Sequence, residues 1–248
     1  MKGRDRIYLQ TPEQWTSFLS AFVHELRTPV ASLRMLTDLL AEAPGGPLGD
    51  PEKRYTENIR EVALDIQGLV GDLAELARLL GGRAVVRPHD VILGPLLDLV
   101  GEAVRPRAWE GGIAITESLD PAVPHSFRTD PDRLRQTLGL LLEAAVRQAR
   151  SEVFFRVDID DQDLRITISS DGAAFPDGEP QAHFAPFGDG VRTARQRGGR
   201  SLALTLAHEL AQTLDGTLEA ENRGGRPAFV LSLPALPAAA LPANPAGS

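Results

Sequence analysis

Two long apolar stripes with helical spacing constrain this chain more than any other feature. In the second stripe Tyr55, Ile59, Val62, Ile66, Leu69, Leu73, Leu76 and Leu80 alternate steps of four and three. A helix turns once in about 3.6 residues, so this spacing holds all of them on one face. In the first, Trp15, Leu19, Phe22, Leu26, Leu33, Leu36 and Leu40 step by threes and fours. Thr11-Pro12 reads as an N-cap followed by proline at the first helical position, and Asp50-Pro51 opens the second helix. Gly81-Gly82 closes it. The stretch Ala43-Pro44-Gly45-Gly46-Pro47-Leu48-Gly49-Asp50 is a turn by composition. Two seamed helices with a short connection predict an antiparallel hairpin. A hairpin alone buries too little, so the stripes predict a second copy, giving a symmetric four-helix bundle. The other solution is a monomeric hairpin packed on the domain that follows.

Past Arg83 the pattern changes to alternating strands and helices. Ala84–Pro88 reads as a short strand, Gly94–Val104 as a helix and Ile113–Ser118 as a strand. Asp130–Arg150 is an amphipathic helix entered by Asp130-Pro131. Val153–Ile159 and Leu164–Ser169 form a hairpin around Asp160-Asp161-Gln162-Asp163. Ser201–Leu214 is a helix, and Thr217–Ala220 and Ala228–Leu233 make a last hairpin around Asn222-Arg223-Gly224-Gly225. The Pro/Ala-rich segment 235–248 reads as a disordered tail. The expected fold class is α+β: a helical hairpin over 1–83, dimerising into a four-helix bundle, then a two-layer α/β sandwich over 84–234.

A net charge of -8 argues against a nucleic-acid surface, which needs a basic patch. Absence of cysteine excludes disulfides and thiolate metal sites. No apolar run approaches the roughly 20 residues needed to span a bilayer, and no secretory leader is evident. The expected location is cytoplasmic.

Within the first helix lies Ala21-Phe22-Val23-His24-Glu25-Leu26-Arg27-Thr28-Pro29. It sets a nucleophilic imidazole beside a carboxylate, with Thr28 one turn on and on the same face. Pro29 has no N–H for the Glu25 carbonyl, so a bend is expected just below His24. Few structural needs ask for this set on an amphipathic helix. The run resembles the phosphoacceptor motif of two-component sensor histidine kinases, whose usual form is Ser-His-Glu-Leu-Arg-Thr-Pro-Leu; Val23 and Val30 are the flanking departures. In order and spacing the second half resembles the ATP-binding domain of those kinases, shared with gyrase and Hsp90-type ATPases. The resemblance covers roughly residues 12 to 234.

The resemblance implies three nucleotide motifs, and all are eroded. The family's Asn-bearing helix is matched by Arg133–Arg147, where the two asparagines fall at Leu140 and Ala144. The second asparagine coordinates Mg²⁺ in the family, and magnesium demands oxygen ligands that neither residue supplies. Glu143 sits about 100° around the helix from Ala144. The family's Asp-x-Gly-x-Gly is matched from Asp171, whose counterpart reads adenine; its glycines fall on Ala173 and Phe175. Glycine there allows close backbone approach to a ligand, and phenylalanine is expected to occlude the space. Asp171-Gly172 is also an ordinary turn pair. The third motif, Gly-x-Gly-Leu-Gly-Leu, begins at Gly199, with Ser201 and Ala203 at the later glycines. In the family these amides cradle phosphates at a helix N-terminus. Phe184-Ala185-Pro186-Phe187 keeps the family's Phe-x-Pro-Phe.

Neither His24–Thr28 nor His208–Gln212 is a zinc pair, because the second histidine is missing. His89, His125 and His183 read as solvated loop residues, and Trp15 and Trp109 as packing residues. By resemblance, His24 carries a phosphoryl group, Glu25 acts as general base, Thr28 positions a water, and Arg27 and Pro29 support them. The expected activity is phosphate exchange between His24 and the aspartate of a response-regulator receiver, as a phosphotransferase or regulator phosphatase. That needs no resident cofactor, because the receiver supplies its own Mg²⁺. A hybrid histidine kinase is an expected phosphate source, and a homodimer the expected assembly. Two alternatives stand: an ATP-dependent kinase with an unusual Mg-ATP site, and a non-enzymatic scaffold.

Overall fold

The computed structural model describes residues 12–42, 48–81, 85–160, 163–175, 184 and 202–234; within the first helix, the side chains of residues 12–17, 21 and 25 fall outside that description. Helices α1 (Pro12–Ala41) and α2 (Asp50–Leu80) lie side by side as the expected hairpin. Thr11, the expected first cap, and the turn residues 43–47 lie outside the described residues. At α2 the cap position belongs to Gly49, so Asp50 is already helical. Asp50 and Glu52 then sit in the first turn, where carboxylates complement the helix dipole. α1 runs on through Pro29 without interruption.

The buried row of α1 departs from the expected stripe at its lower end. Phe18 and Phe22 are buried there, whereas Leu19 is 49% exposed. The cause is tertiary: Phe18 and Phe22 join Leu76 and Leu79 of α2 in a cluster with Leu202, Leu206 and Leu210 of a helix far along the chain. Farther up α2 the seam residues Tyr55, Ile59, Val62 and Ile66 stay half-buried.

The remainder is β1 (His89–Ile92), α3 (Leu93–Glu110), β2 (Ala114–Leu119), β3 (Ser126–Thr129), α4 (Pro131–Gln148), β4 (Glu152–Asp160), β5 (Asp163–Ser170), α5 (Leu202–Thr213), β6 (Thr217–Arg223) and β7 (Arg226–Pro234). Five strands form a sheet of order β2-β4-β5-β7-β6, parallel between β2 and β4 and antiparallel elsewhere. β1 and β3 form a separate antiparallel pair. Helices α3, α4 and α5 share one apolar core with the sheet, in which Leu134, Leu138, Leu142, Val153 and Phe229 are fully enclosed. Burying a leucine in this way is worth about 1.5–3 kcal/mol. The last hairpin closes on Gly224 and Gly225 at φ 57 and 77, left-handed angles that a two-residue turn requires and glycine adopts without strain.

Several expectations need correction. The first strand lies at His89–Ile92, not Ala84–Pro88, and its partner β3 carried no clear signal in the sequence. Ladder pairing is denied to 85–88 because its polar groups are engaged otherwise. The Arg87 amide donates to Asp130 Oδ2 at 2.7 Å, and Arg133 Nη2 donates to the Val85 carbonyl at 3.2 Å. Asp130 also caps α4, accepting the Arg133 amide at 3.2 Å. This carboxylate therefore ties the segment leaving the hairpin to the start of α4. α3 continues beyond Val104 through Pro106 to Glu110. Pro106 and Glu102 both face solvent, where water can take the carbonyl that proline leaves unpaired. Trp109 is no packing residue, being 86% exposed. The tail 235–248 lies outside the described residues.

Candidate functional site

His24 stands on the face of α1 opposite its anchor. Phe22 and Leu26 pack into the cluster against α5, and each is two residues, or about 200°, from His24. The imidazole is exposed, as are Arg27 and Thr28, while Pro29 is half-buried. Leu19, Ser20, Val23, His24 and Arg27 line a shallow cleft of about 460 Å³. Leu19 is 49% and Val23 55% exposed, so apolar side chains lie beside the imidazole in this cleft. Glu25 continues the helix, and its side chain lies outside the description. His24 and Thr28 share a face as expected from their spacing.

Of the residues expected at a nucleotide site, Leu140 and Ala144 fall on α4, Asp171, Ala173 and Phe175 just past the end of β5, and Ala203 on α5. Leu140 is half-buried and packs against both the main core and the cluster beneath the hairpin. Ala144, one turn on, packs on the main core. Glu143 turns to Arg147, its carboxylate 3.6 Å from the guanidinium.

Asp171 is occupied by its own chain. Its Oδ1 accepts the amides of Arg150, Ser151 and Glu152 at 2.8, 3.1 and 3.1 Å, and its Oδ2 accepts the Ser151 hydroxyl at 2.6 Å. Partial burial raises this carboxyl, but the bonds from Ser151, Arg150 and Glu152 outweigh it and hold the group well below the usual carboxylate range. Gly172 is required by packing: a Cβ there would stand 2.4 Å from the Gln148 carbonyl at the end of α4. The Asp171-Gly172 pair thus does the work of a turn.

Phe175 does not stand in the expected ligand space. Its ring is buried in the main core, 5.5 Å from the Phe229 ring. Its backbone N–H and carbonyl pair with the Asn222 side chain, both at 2.9 Å. Ala173 is exposed and Ala203 is buried. Gly199, Ser201, His183 and residues 185–187 lie outside the described residues. Phe184 is fully buried and stacks on His208, with ring centroids 5.2 Å apart. Burial pushes the His208 imidazole down to about 4. His89 and His125 are exposed as expected, although His89 belongs to β1.

One group escaped sequence reasoning. Asp72 on α2 lies within electrostatic reach of Glu143 and Arg147 of α4, and burial first, then Glu143, raise its carboxyl to about 6. In the sequence it is one polar residue beside a heptad stripe, and only the docking of α2 gives it neighbours.

The two halves of this architecture match two families. Residues 14–82 match the His Kinase A (phospho-acceptor) domain, and residues 129–237 match the Histidine kinase-, DNA gyrase B-, and HSP90-like ATPase family. The chain is 28% identical over 215 residues to the circadian input-output histidine kinase CikA of Synechococcus elongatus, covering 84% of this chain and 28% of that protein. It is 32% identical over 221 residues to the sensor histidine kinase AruS of Pseudomonas aeruginosa, covering 84% of this chain and 21% of that one. The chain thus spans about a quarter of these relatives' length. In fold it is similar to the histidine kinase ThkA in complex with the response regulator protein TrrA, with a TM-score of 0.69 at 17% identity, over 89% of this chain and 62% of that one. It is also similar to the Acinetobacter baumannii histidine kinase AdeS, with a TM-score of 0.63 at 18% identity, over 86% of this chain and 98% of that one. The chain belongs to the two-component sensor histidine kinase family. Among the described residues, no helix is long and apolar enough to cross a membrane.

Proposed function

We propose that this chain carries phosphate on His24 and exchanges it with the aspartate of a response-regulator receiver, with poor or no use of Mg-ATP. The observation that carries this reading is Leu140. It occupies the family's asparagine position and is packed into two apolar cores at once. Magnesium needs oxygen ligands, and Leu140 and Ala144 offer none. Asp171, the adenine-reading position, has both oxygens engaged by residues 150–152. Glu143 is held by Arg147. These residues do not fit a magnesium nucleotide, and no step is routed through one.

His24 is suited to a visiting partner. It faces solvent, away from α5, in a cleft edged by Leu19 and Val23. A neutral imidazole nitrogen is a good nucleophile toward phosphorus. In the transfer a ring nitrogen of His24 attacks the phosphoryl group of the receiver's aspartyl phosphate. A P–N bond forms, the P–O bond to the aspartate breaks, and the carboxylate leaves; the reverse direction uses the same atoms. On this reading Thr28, on the same face, positions water for hydrolysis. The receiver's own Mg²⁺ neutralises the charge that develops on the phosphoryl oxygens.

The assembly we infer is a homodimer, because the upper seam of α2 is only half-buried in one chain and Leu64 and Val70 remain exposed. Incubation with a phosphorylated receiver tests the transfer. The expected result is acid-labile phosphate on the wild-type chain, or faster loss from the receiver, with both effects absent in His24→Ala. Clear labelling of His24 by Mg-ATP alone overturns the reading in favour of a kinase. No transfer and no accelerated loss across the candidate receivers leaves a scaffold.

A further inference from the structure

The apolar stripe of α2 is one face with two fates. Its lower part, Leu69, Leu73, Leu76 and Leu80, packs with Phe22 and Leu26 of α1 against Leu202, Leu206 and Leu210 of α5. Its upper part, Tyr55, Ile59, Val62 and Ile66, continues in line and stays half-buried. α1 divides in the same way: Phe22 is buried, whereas Leu33 and Leu40 farther along are half-buried. Length sets the division. α5 has 12 residues and runs roughly 18 Å, whereas the 31 residues of α2 run roughly 46 Å. Seated at the lower end, α5 cannot reach the upper stripe.

Leu73 and Leu76 can be covered by one helix at a time. Packed helices stand about 8–10 Å apart, so a second hairpin laid along the whole stripe requires the space that α5 fills. The occupant that fits is a second copy of this chain. A two-fold pairing sets the same stripe on both sides, and the uncovered upper half is continuous with the half that α5 covers. This step rests on the homodimer inferred above and goes beyond it.

We propose that α5 and the hairpin of a second copy compete for the lower half of the stripe. While α5 is seated, two chains pair only through the upper half, around Tyr55, Ile59, Val62 and Ile66. When α5 leaves, the seam runs the full length and the dimer tightens. Linkage makes the effect reciprocal: pairing along the whole seam unseats α5 by the same factor with which α5 weakens the dimer. Phe22 and Leu26 lie in the contested half and bracket His24 in sequence. The state of assembly therefore decides what stands behind the phosphoacceptor.

Leu206 is the residue to change. It belongs to the contact with the hairpin, whereas Leu204, Ala207 and Ala211 hold α5 to the sheet core. Sedimentation equilibrium gives the dissociation constant of the dimer. Leu206→Glu is expected to tighten the dimer by about tenfold or more, and Leu206→Ala to do so by less. Ile59→Glu, in the upper half, is expected to weaken it with α5 still seated. Seating is read in the otherwise unchanged chain by energy transfer between dyes on Glu57→Cys and Glu102→Cys, both exposed and the only thiols in the chain. Glu57 lies far along α2 from the cap at Gly81, so release of the hairpin moves it farthest. With labelled chain at trace level, transfer efficiency is expected to fall as unlabelled chain is added. A dimer no tighter in the Leu206 variants, or an efficiency independent of chain concentration, overturns the competition while leaving the homodimer. A chain that is monomeric at every concentration overturns both and assigns the upper half to a different protein.

Discussion

The Ser151 hydroxyl donates to the Asp171 carboxylate at 2.6 Å, and the Ser151 amide donates to the same group at 3.0 and 3.1 Å. Asp171 is thus an internal cap for the connection between α4 and β4. Asp171→Asn is expected to lower stability at pH 7 by about 1–2 kcal/mol, measured by urea unfolding. The folded carboxyl titrates below its unfolded value, so its contribution is complete above about pH 4 and is lost as the pH falls further. The gap between wild type and variant should close in acid; a gap constant from pH 7 to 2 contradicts this role.

Nucleotide binding has a thermal signature. A ligand at a hundred times its dissociation constant stabilises the folded state by about 2.7 kcal/mol, a shift of several degrees. Millimolar Mg-ATP is expected to leave the melting temperature of the α/β transition unchanged. Leu140→Asn is expected to lower it, because an amide replaces a side chain packed in two apolar clusters, at a cost of about 2–4 kcal/mol. A rise in melting temperature with Mg-ATP contradicts the proposed loss of nucleotide use.

How much of this was readable beforehand depends on the range of the interaction concerned. The hairpin, α4 and the last β-turn were legible because their signals are local: a 4-3 stripe, Asp130-Pro131, and paired glycines. Phe18 and Leu19 exchanged roles because the partner of Phe18 is α5, almost two hundred residues away in sequence. β1 was misplaced because side chains of Asp130 and Arg133, distant in sequence, claim the backbone of 85–88. Phe175 read as an obstruction because sequence cannot say which way a ring turns, and it turns onto Phe229. The motif around His24 was legible as a resemblance, whereas its orientation away from α5 belongs to tertiary packing.

His208 gives a second pH signature, beside that of Asp171. Burial holds the folded imidazole down to about 4, against an ordinary value of 6.5. The unfolded chain therefore binds the extra proton first. Stability contributed by neutral His208 is present above about pH 6.5 and is lost as the pH falls toward 4, by an amount on the order of 2–3 kcal/mol. His208→Gln should flatten that part of the stability profile. An unchanged slope assigns the acid sensitivity elsewhere.

On the proposed reading Thr28 and His24, which share a face of α1, have separable tasks. Thr28→Ala is expected to slow loss of phosphate from a receiver by tenfold or more while leaving transfer onto His24 within about twofold. Time courses that separate free phosphate from protein-bound phosphate distinguish the two. Equal loss of both would place Thr28 in docking instead of hydrolysis.

The tie between Asp130 and the segment leaving the hairpin sets a leash length. α2 ends at Leu80 with Gly81 as its cap, and the chain is gripped again at Val85 and Arg87. Four peptide steps between Gly81 and Val85 span at most roughly 14 Å. An opened hairpin therefore stays within one helix width or so of its docking row on α5, at an effective concentration in the millimolar range or above. At such proximity even a weak apolar contact closes spontaneously. A leash this short lets a few leucines and phenylalanines keep a whole helix seated.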